Sequence, residues 1–450
     1  MLVLRVGPRN LGQSVWRDLA FLRWRYSRHC LSRVTCVCLG ILCVGILLRS
    51  ESIRAAVFFL APPKDSPLRE SRSVVSPSPR ADTVASRTLC KMIAMTSAAR
   101  RTRAPLCLLQ RSLCAAPDVT VVSIEDAKAK TAAALRMVGW DEEDAALQAE
   151  IMTAAELCGN NQGLVKMFQP ALMAPSPGAS KPTIERETAT SAVVNANQSP
   201  GMLAAIRAAD LAVAKVESAG PIAIVAAHNT STSSGQLAFY VERMAKQGII
   251  GIALANSPEF VAAAPGGKAV FGTNPIAFGV PSSTGPLCFD MATSAIALFG
   301  VLTAKAKGEP LPPNVAYGKD GGWTTEAGEA LEGGAIATFG GHKGAGLSLC
   351  VEMLAGALSG GAVLGQCESK KAAKSWGHTF IAIKPSALVD DFESKAASIL
   401  AAVKASGAGI RIPGENSIKV ARERQAAGTM PIPKAIWDSI CNTAENGLPK

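Results

Sequence analysis

The turn at residues 272–275 and a lysine between glycines are the features of this sequence that best suit recognition of a polar or anionic ligand. The turn Gly-Thr-Asn-Pro at residues 272–275 follows strand-like residues, so its backbone N–H groups and its amide could face a polar ligand. Lys343 follows His342 at a predicted helix start, where the helix dipole disfavours a cation unless an anion binds nearby. The structural alternatives are a turn in which proline ends a strand, and a solvated lysine.

Acid–base candidates are few, because the whole chain contains four histidines: His29, His228, His342 and His378. His228 ends a predicted buried strand, and it is either a core histidine or an acid–base group. His378 begins another strand, and we interpret it as structural. Asp290 follows an apolar run, where a lone aspartate is more often a helix cap than a functional carboxylate.

The elements that position these residues alternate between helix and strand patterns from residue 119 onward. Ser123 and Asp141 are predicted to cap two successive helices, the second of which ends at Gly159. Continuous apolar runs at 222–227 and 249–254 are typical of buried strands in an α/β protein. Further strands are predicted at 183–188, 192–195, 276–280, 287–289 and 380–383, and further helices at 201–218, 236–247, 294–307, 344–358, 390–405 and 417–427.

Residues 1–119 differ in composition from the rest and are predicted to form a targeting leader without fixed structure, followed by a catalytic domain at 120–450. The leader has 19 Lys and Arg against 6 Asp and Glu, whereas the remainder has 27 basic and 29 acidic residues. A nucleic-acid-binding enzyme would carry its basic surface on the folded domain, so the net charge of +11 predicts no nucleic-acid partner. The spacing of the twelve cysteines predicts neither a metal site nor a disulfide framework.

Within the leader, residues 20–62 are signal-like and residues 63–118 are transit-like. The apolar run at 34–48 has 15 residues, fewer than the roughly 20 that span a bilayer, so membrane attachment is expected only through an uncleaved leader. The order of the two segments resembles the bipartite presequence of complex plastids. We expect import into a plastid in preference to a mitochondrion, with a cytoplasmic or membrane-anchored protein as the alternative.

Several ordered motifs closely resemble the malate/L-lactate dehydrogenase family, which includes ureidoglycolate, sulfolactate and diketogulonate enzymes and cyclic-imine reductases. The motifs are GIIGIALANS (248–257), GTNPIAFGVP (272–281), FDMATS (289–294), GGHKGAGLSLCVEMLAGALSG (340–360), GHTFIAIKP (377–385), RIPGEN (411–416) and MPIPKAIW (430–437). The resemblance implies a family-specific, non-Rossmann α/β fold with a mixed sheet and surrounding helices. It implies binding of NAD or NADP near a homodimer interface. Consistently, no GxGxxG follows a predicted strand with an acidic residue about 20 positions on.

The same motifs imply a cofactor site built from several separate segments. Its predicted residues are Ser257, Gly272, Thr273, Asn274, Pro275, Asp290, Met291, His342, Lys343, Gly414 and Glu415.

The family's catalytic motif is altered in this chain. The family has Ser-His-Gly after the second helix and an arginine three residues further on; this chain has GNNQG at 159–163 and then Lys166. Asn161 and Gln162 therefore replace the serine and the histidine, and a glutamine cannot exchange a proton near neutral pH. Lys166 can meet a carboxylate, although without the arginine fork. The predicted catalytic residues are His228, Lys166, Gln162 and Asn161, and the proton donor stays open among His228, Lys166 and Lys343.

The leading functional prediction is NAD(P)-dependent hydride transfer between nicotinamide and a small 2-hydroxy or 2-oxo acid. A second enzyme hypothesis is reduction of a cyclic imine or a diketo acid. A dinucleotide-binding relative without turnover is a third, because the Ser-His pair is missing. A membrane-tethered scaffold is a fourth, because of the apolar run at 34–48.

Overall fold

A computed structural model of the protein describes residues 118–160, 162–364, 366–367 and 375–448. The leader predictions and Asn161 lie outside these residues. The strands are β1 (Val119–Ser123), β2 (Thr183–Glu187), β3 (Ser191–Asn195), β4 (Ile222–Thr230), β5 (Ile250–Ala255), β6 (Val261–Ala262), β7 (Ala269–Phe271), β8 (Ile276–Val280), β9 (Leu287–Met291), β10 (Ala316–Tyr317), β11 (Ala335–Ala337), β12 (Trp376–Ile383) and β13 (Thr429–Pro433).

The α-helices are α1 (Ile124–Met137), α2 (Glu142–Leu157), α3 (Gly201–Ser218), α4 (Ala238–Ala245), α5 (Leu298–Lys307), α6 (Ala327–Leu331), α7 (His342–Val351), α8 (Phe392–Ala405), α9 (Glu415–Ala427) and α10 (Lys434–Asn446). A π-helical turn, Glu352–Ala357, continues α7, and short 3-10 helices occur at Leu164–Phe168, Pro170–Met173 and Pro385–Ala387. No described helix is both long and apolar enough to cross a membrane.

The main sheet has seven strands in the order β2-β3-β4-β12-β5-β8-β9. Only β3 and β4 are parallel, so the predicted mixed sheet is confirmed. These directions make β3, β4, β5 and β9 end at the edge of the sheet where β8 and β12 begin. We call this edge the upper edge. Smaller sheets pair β1 with β13 and align β10-β11-β6-β7.

The two faces of the main sheet carry different helices. On one face, α3 and α4 cover the largest core, where Tyr240 meets Phe380 edge to face with ring centroids 5.7 Å apart. Here α4 approaches so closely that a Cβ on Gly279 would lie 2.0 Å from the Val241 carbonyl oxygen, so only glycine fits. On the other face, α7 and the π turn pack on β5, β8 and β9. We call these the α4 face and the α7 face.

The predicted caps of the first two helices are confirmed. Ser123 Oγ accepts from the Asp126 N–H at 2.9 Å, and Asp141 Oδ1 accepts from the Asp144 N–H at 2.8 Å. Each bond satisfies a backbone donor that the first helical turn leaves without a partner. Gly159 follows α2 with φ +73°, so the chain turns there as predicted and begins the loop that contains Lys166.

Some element boundaries differ from the prediction. The helix expected at 294–307 begins only at Leu298, because Ser294 forms a bridge with Thr338 instead. The helix expected at 344–358 begins at His342 and becomes π-helical at Glu352. The two small sheets, α6 and α10 were not predicted. The strands β6, β7, β10 and β11 have only two or three residues, too few to show a periodicity.

Candidate functional site

The upper edge gathers most of the residues predicted to act in the site. Ser257 follows β5, residues 273–275 precede β8, and Asp290 lies one residue before the end of β9. Beyond β9, the Thr293 carbonyl oxygen accepts from the Phe339 N–H at 3.1 Å, which brings the start of α7 to the same edge. The sheet directions therefore place these separate segments side by side.

The turn at 272–275 is held by its neighbours on both sides. Ser257 Oγ accepts from the Thr273 N–H at 3.1 Å, and a Cβ on Gly272 would lie 2.1 Å from that oxygen. The Thr273 carbonyl oxygen accepts from the Thr293 N–H at 2.8 Å. Ser257 and Gly272 thus fix the shape of the turn. The sequence motif predicted that both residues contact the cofactor, and it could not distinguish that role from a structural one.

Asn274 occupies the left-handed region with φ +38° and is fully buried. Its amide Nδ2 donates to the Ser348 carbonyl oxygen at 3.1 Å and to Glu352 Oε2 at 2.8 Å. Its Oδ1 has no partner among the described residues. The amide therefore anchors the turn on α7 rather than pointing away from the protein. Met291, at the end of β9, pairs with Ile276 and packs in the same core.

The N-terminus of α7 is open. Gly340 and Gly341 have φ of +55° and +61°, and a Cβ on either would meet nothing within 4 Å. No side chain caps this ten-residue helix, and both His342 and Lys343 are exposed. Uncapped backbone N–H groups next to an ammonium group suit a phosphate, so these residues fit the predicted role in holding a dinucleotide.

Asp290 points to the α4 face, because its cross-strand partner Ala277 is buried in that core. Its Oδ2 accepts from the Ala238 N–H at 2.9 Å, at the start of α4. Burial raises the pKa of the Asp290 carboxyl to about 6, although bonds from the Ala238 and Leu237 backbone oppose that shift. The carboxyl thus bonds the first N–H of α4, 52 positions earlier in the chain, rather than capping a helix that follows it, and its pKa lies close to neutral pH.

Lys166 lies across the loop that follows β4. Its Nζ donates to Ser233 Oγ, and burial lowers the pKa of the ammonium group to about 8. Gly163 is required beside it, since a Cβ there would lie 2.1 Å from the Met152 carbonyl oxygen. The backbone N–H of half-buried Gln162 donates to Asn160 Oδ1 at 2.9 Å, which fixes the loop ahead of Lys166.

Lys166 and Asp290 border one short segment of chain. Lys166 contacts Ser233, and Asp290 contacts Ala238 five residues later, so residues 233–238 separate the cation from the carboxyl. The sequence did not reveal this neighbourhood, because Asp290 was assigned to cofactor contact and the start of α4 was predicted two residues early.

His228 and His378 lie away from Lys166 and Asp290. Ala227 is buried on the α4 face, so strand alternation puts His228 on the opposite face, where its Nε2 lies 2.7 Å from Glu185 Oε2. The structure therefore does not bring His228 to Lys166 within one protomer. His378 is fully buried in β12, neither ring nitrogen has a partner among the described residues, and burial lowers its pKa to about 4. It is neutral at pH 7, as a structural role requires.

Gly414 and Glu415 lie beside β9 rather than at the upper edge. A Cβ on Gly414 would lie 2.4 Å from the Cys288 carbonyl oxygen. The Glu415 carboxylate pairs with Lys404 and accepts from the Ile412 N–H at 3.2 Å. Glu415 borders a cavity of about 1270 Å³ between α2, α4, α8 and α9, which Leu287, three residues before Asp290 on β9, also lines.

Comparison with known proteins agrees with this architecture. A family model described as malate/L-lactate dehydrogenase matches residues 122–441. The L-sulfolactate dehydrogenase of Methanothermobacter thermautotrophicus is 38% identical over 252 residues, covering 55% of this chain and 72% of the relative. The malate/(S)-sulfolactate dehydrogenase of Methanothermus fervidus is 31% identical over 318 residues, which cover 68% of this chain and 93% of the relative. The crystal structure of delta1-piperideine-2-carboxylate reductase from Pseudomonas syringae pvar. tomato superposes with a TM-score of 0.67 at 29% identity, covering 72% of this chain and 99% of the other.

Proposed function

The chain belongs to the malate/L-lactate dehydrogenase family and is a nicotinamide-dependent oxidoreductase, and we propose that it transfers a hydride between NAD(P)H and a small 2-oxo acid at the upper edge of the main sheet. The observation that carries this proposal is that Lys166 contacts Ser233 and Asp290 contacts Ala238, which puts a cation and a carboxyl at the two ends of residues 233–238.

Lys166 is proposed to bind the substrate carboxylate. With a pKa of about 8, its ammonium group is mostly protonated at pH 7. Because the group is half-buried, its attraction for an anion is less screened than it would be at the surface. The amide of Gln162, in the same loop, can donate to the substrate carbonyl oxygen and polarise it, although it cannot exchange a proton.

Asp290 is proposed to supply the proton. A carboxyl with a pKa of about 6 is protonated in roughly a tenth of the molecules at pH 7, which is enough for general acid catalysis. When bound, the reduced nicotinamide supplies the hydride. As the carbonyl carbon accepted that hydride, Asp290 would deliver its proton to the carbonyl oxygen, and the Asp290 carboxylate would then regain a proton from water. The product is the 2-hydroxy acid, and the reverse steps oxidise it.

The dinucleotide phosphates are proposed to bind at the open N-terminus of α7, with Lys343 as the counter-charge. The turn at 272–275 borders the same edge and forms part of the cofactor site. Either NAD or NADP is compatible with this proposal.

A direct test is to titrate the purified protein with NADH and NADPH by fluorescence and to assay turnover with pyruvate, oxaloacetate, diketo acids and cyclic imines. We expect binding of at least one dinucleotide and oxidation of the reduced form with one substrate class. Tight binding without turnover on the whole panel would favour the non-catalytic alternative. No binding of either dinucleotide would refute the proposal.

Reduction of a cyclic imine is the second candidate, and two observations favour it. One is the similarity to the piperideine-carboxylate reductase structure. The other is Gln162 in place of the family histidine. A protonated imine already carries its proton before the hydride arrives, so it needs less help from an acid. Its carboxylate would still meet Lys166. A higher kcat/KM for cyclic imines than for 2-oxo acids in the panel would favour this candidate.

The protein is proposed to act as a homodimer. Met353 of the π turn and Leu358, which follows that turn, are 57% and 53% exposed, and Ile222 on the uncovered α7 face of β4 is 47% exposed. A second copy could bury both apolar surfaces, which a monomer would leave in water. Light scattering behind gel filtration should give twice the chain mass, and Met353→Lys should shift it toward the monomer.

Residues 1–119 are proposed to direct the protein to a plastid, on the grounds of their basic, serine-rich composition. Fusion of these residues to a fluorescent protein tests this. Mitochondrial, membrane or cytoplasmic fluorescence would each refute the plastid assignment.

A further inference from the structure

A buried carboxylate that the proposed chemistry does not use lies directly behind the cofactor turn. Glu352 is only 4% exposed and stands where α7 changes into the π turn. π turns are rare and occur often at functional positions. The carboxylate accepts hydrogen bonds from Asn274 Nδ2 at 2.8 Å, from the Leu364 N–H at 3.0 Å and from Asn256 Nδ2 at 3.3 Å. No lysine or arginine of the described residues pairs with it, so these dipoles alone hold its charge.

The two asparagines belong to the two segments that form the cofactor turn. Asn256 immediately precedes Ser257, whose Oγ accepts from the Thr273 N–H. Asn256 also accepts from the Gly377 N–H at 2.7 Å through Oδ1, so both ends of its amide are used. Asn274 lies inside the turn itself. The Glu352 carboxylate is therefore hydrogen-bonded both to the residue that follows β5 and to the turn that precedes β8.

We propose that Glu352 is a positioning residue, which holds the turn at 273–275 in the shape that receives the dinucleotide. The inference rests on the proposed function. Asn274 has φ +38°, a conformation that a non-glycine residue keeps only when its surroundings enforce it. The bond to a charged oxygen is stronger than one between neutral groups, so the carboxylate is the dominant restraint on the Asn274 side chain. Without it, the turn relaxes and the dinucleotide binds more weakly.

Glu352→Gln tests this inference, because it keeps the size of the side chain and replaces one acceptor oxygen by a donor. We expect the Kd for NAD(P)H to rise at least about tenfold, while kcat at saturating cofactor changes less than about threefold. Glu352→Asp shortens the side chain by one methylene group and so draws the carboxylate away from its donors, and it should also raise the Kd for NAD(P)H. This second variant keeps the test valid if Glu352→Gln does not fold. An unchanged Kd in a folded variant would overturn the inference.

Lys215→Met is the matched control. Lys215 is equally buried, and its Nζ bonds Glu187 Oε1 at 2.8 Å and the Thr188 carbonyl oxygen at 2.6 Å, at the opposite edge of the sheet. This variant should be destabilised without a change in Kd. A similar loss of affinity in both variants would mean that Glu352 acts only through general stability, which refutes a positioning role.

Amide hydrogen exchange gives a readout that needs no cofactor. In Glu352→Gln, peptides covering residues 256–257, 273–276 and 364 should exchange at least about tenfold faster than in the wild type, and those of Lys215→Met should not. If the wild type binds neither NADH nor NADPH, the proposed function fails, whereas the exchange still shows whether Glu352 holds the turn. Unchanged exchange in a folded Glu352→Gln would refute the positioning role itself.

Discussion

Replacing Lys166 by methionine should stabilise the protein at neutral pH while removing its activity. Burial lowers the pKa of this ammonium group from 10.5 to about 8, and no carboxylate of the described residues forms an ion pair with it. Folding therefore has to desolvate a charge that gains only a hydrogen bond to Ser233. Methionine has a similar length and no charge, so it removes that unfavourable contribution and keeps most of the packing.

The magnitude follows from the shift in pKa. A difference of 2.5 units between the folded and unfolded chain corresponds to about 3 kcal/mol of unfavourable free energy at pH 7. The lost hydrogen bond to Ser233 offsets about 1 kcal/mol of this. Lys166→Met should therefore raise the free energy of unfolding by about 2 kcal/mol at pH 7.

The sign of the pH dependence is fixed by the direction of the shift. Between pH 8 and 10.5 the unfolded chain binds more protons at Lys166 than the folded chain does, so wild-type stability gains from rising pH. The penalty is complete below pH 8 and absent above 10.5. The advantage of the methionine variant should thus shrink across this interval, leaving it about 1 kcal/mol less stable at the alkaline end.

Urea unfolding at pH 7 and pH 10, followed by circular dichroism, measures both quantities, provided that the m-value is the same in both proteins. Turnover with the best 2-oxo acid or cyclic imine should fall about 10²-fold or more. Lys215→Met provides the opposite case, because that lysine has a carboxylate partner and its removal should destabilise the protein by about 1–2 kcal/mol. A Lys166→Met variant that is destabilised at pH 7, or that keeps wild-type turnover, would refute this reasoning.

Three further predictions concern the site. Reduction should slow as pH rises above about 6, since the Asp290 donor loses its proton there, and Asp290→Asn should lower kcat about 10²-fold and flatten that profile in a stopped-flow assay; a steep profile retained in the variant would exclude Asp290 as the donor. Lys343→Ala should raise the Kd for the dinucleotide about tenfold, as measured by fluorescence titration, with little change in kcat. An unchanged Kd would mean that the phosphates do not bind next to Lys343. His228→Ala should keep turnover within about threefold of the wild type, because the imidazole faces Glu185 on the other face of the sheet. A 10²-fold loss of turnover would show instead that His228 takes part in catalysis.

Local signals in the sequence were sufficient for most of the helices and for the long strands. The caps at Ser123 and Asp141 act through side chains three residues from their partners, so no tertiary information is needed to find them. The apolar runs of β4 and β5 are equally local, and they confirm the α/β prediction. The strand β13 was not predicted, because its sequence, TMPIP, contains two prolines, and a paired strand tolerates proline only at an edge.

The parts of the site that were missed depend on which face of a strand a side chain occupies. Strand alternation separates His228 from Ala227, yet the sequence alone did not say which of the two faces the α4 side. The direction of the Asn274 amide could not be predicted either. The motif predicts a polar turn, but it does not show that the amide would donate its hydrogen bonds to α7 and to the π turn. The meeting of Asp290 with the start of α4 spans 52 positions in the chain, and no local pattern encodes it.

The pairing of β1 with β13 limits where the predicted leader could be cleaved. The first described strand begins at Val119, the last residue of the predicted leader, and all five of its residues are in register with residues 429–433. If the leader is removed, as its proposed targeting role implies, cleavage should stop within a residue or two of that point, because every further residue removed would expose part of β13. Mature N-termini determined by mass spectrometry should therefore cluster just upstream of Val119, and a tag placed there would emerge next to α10.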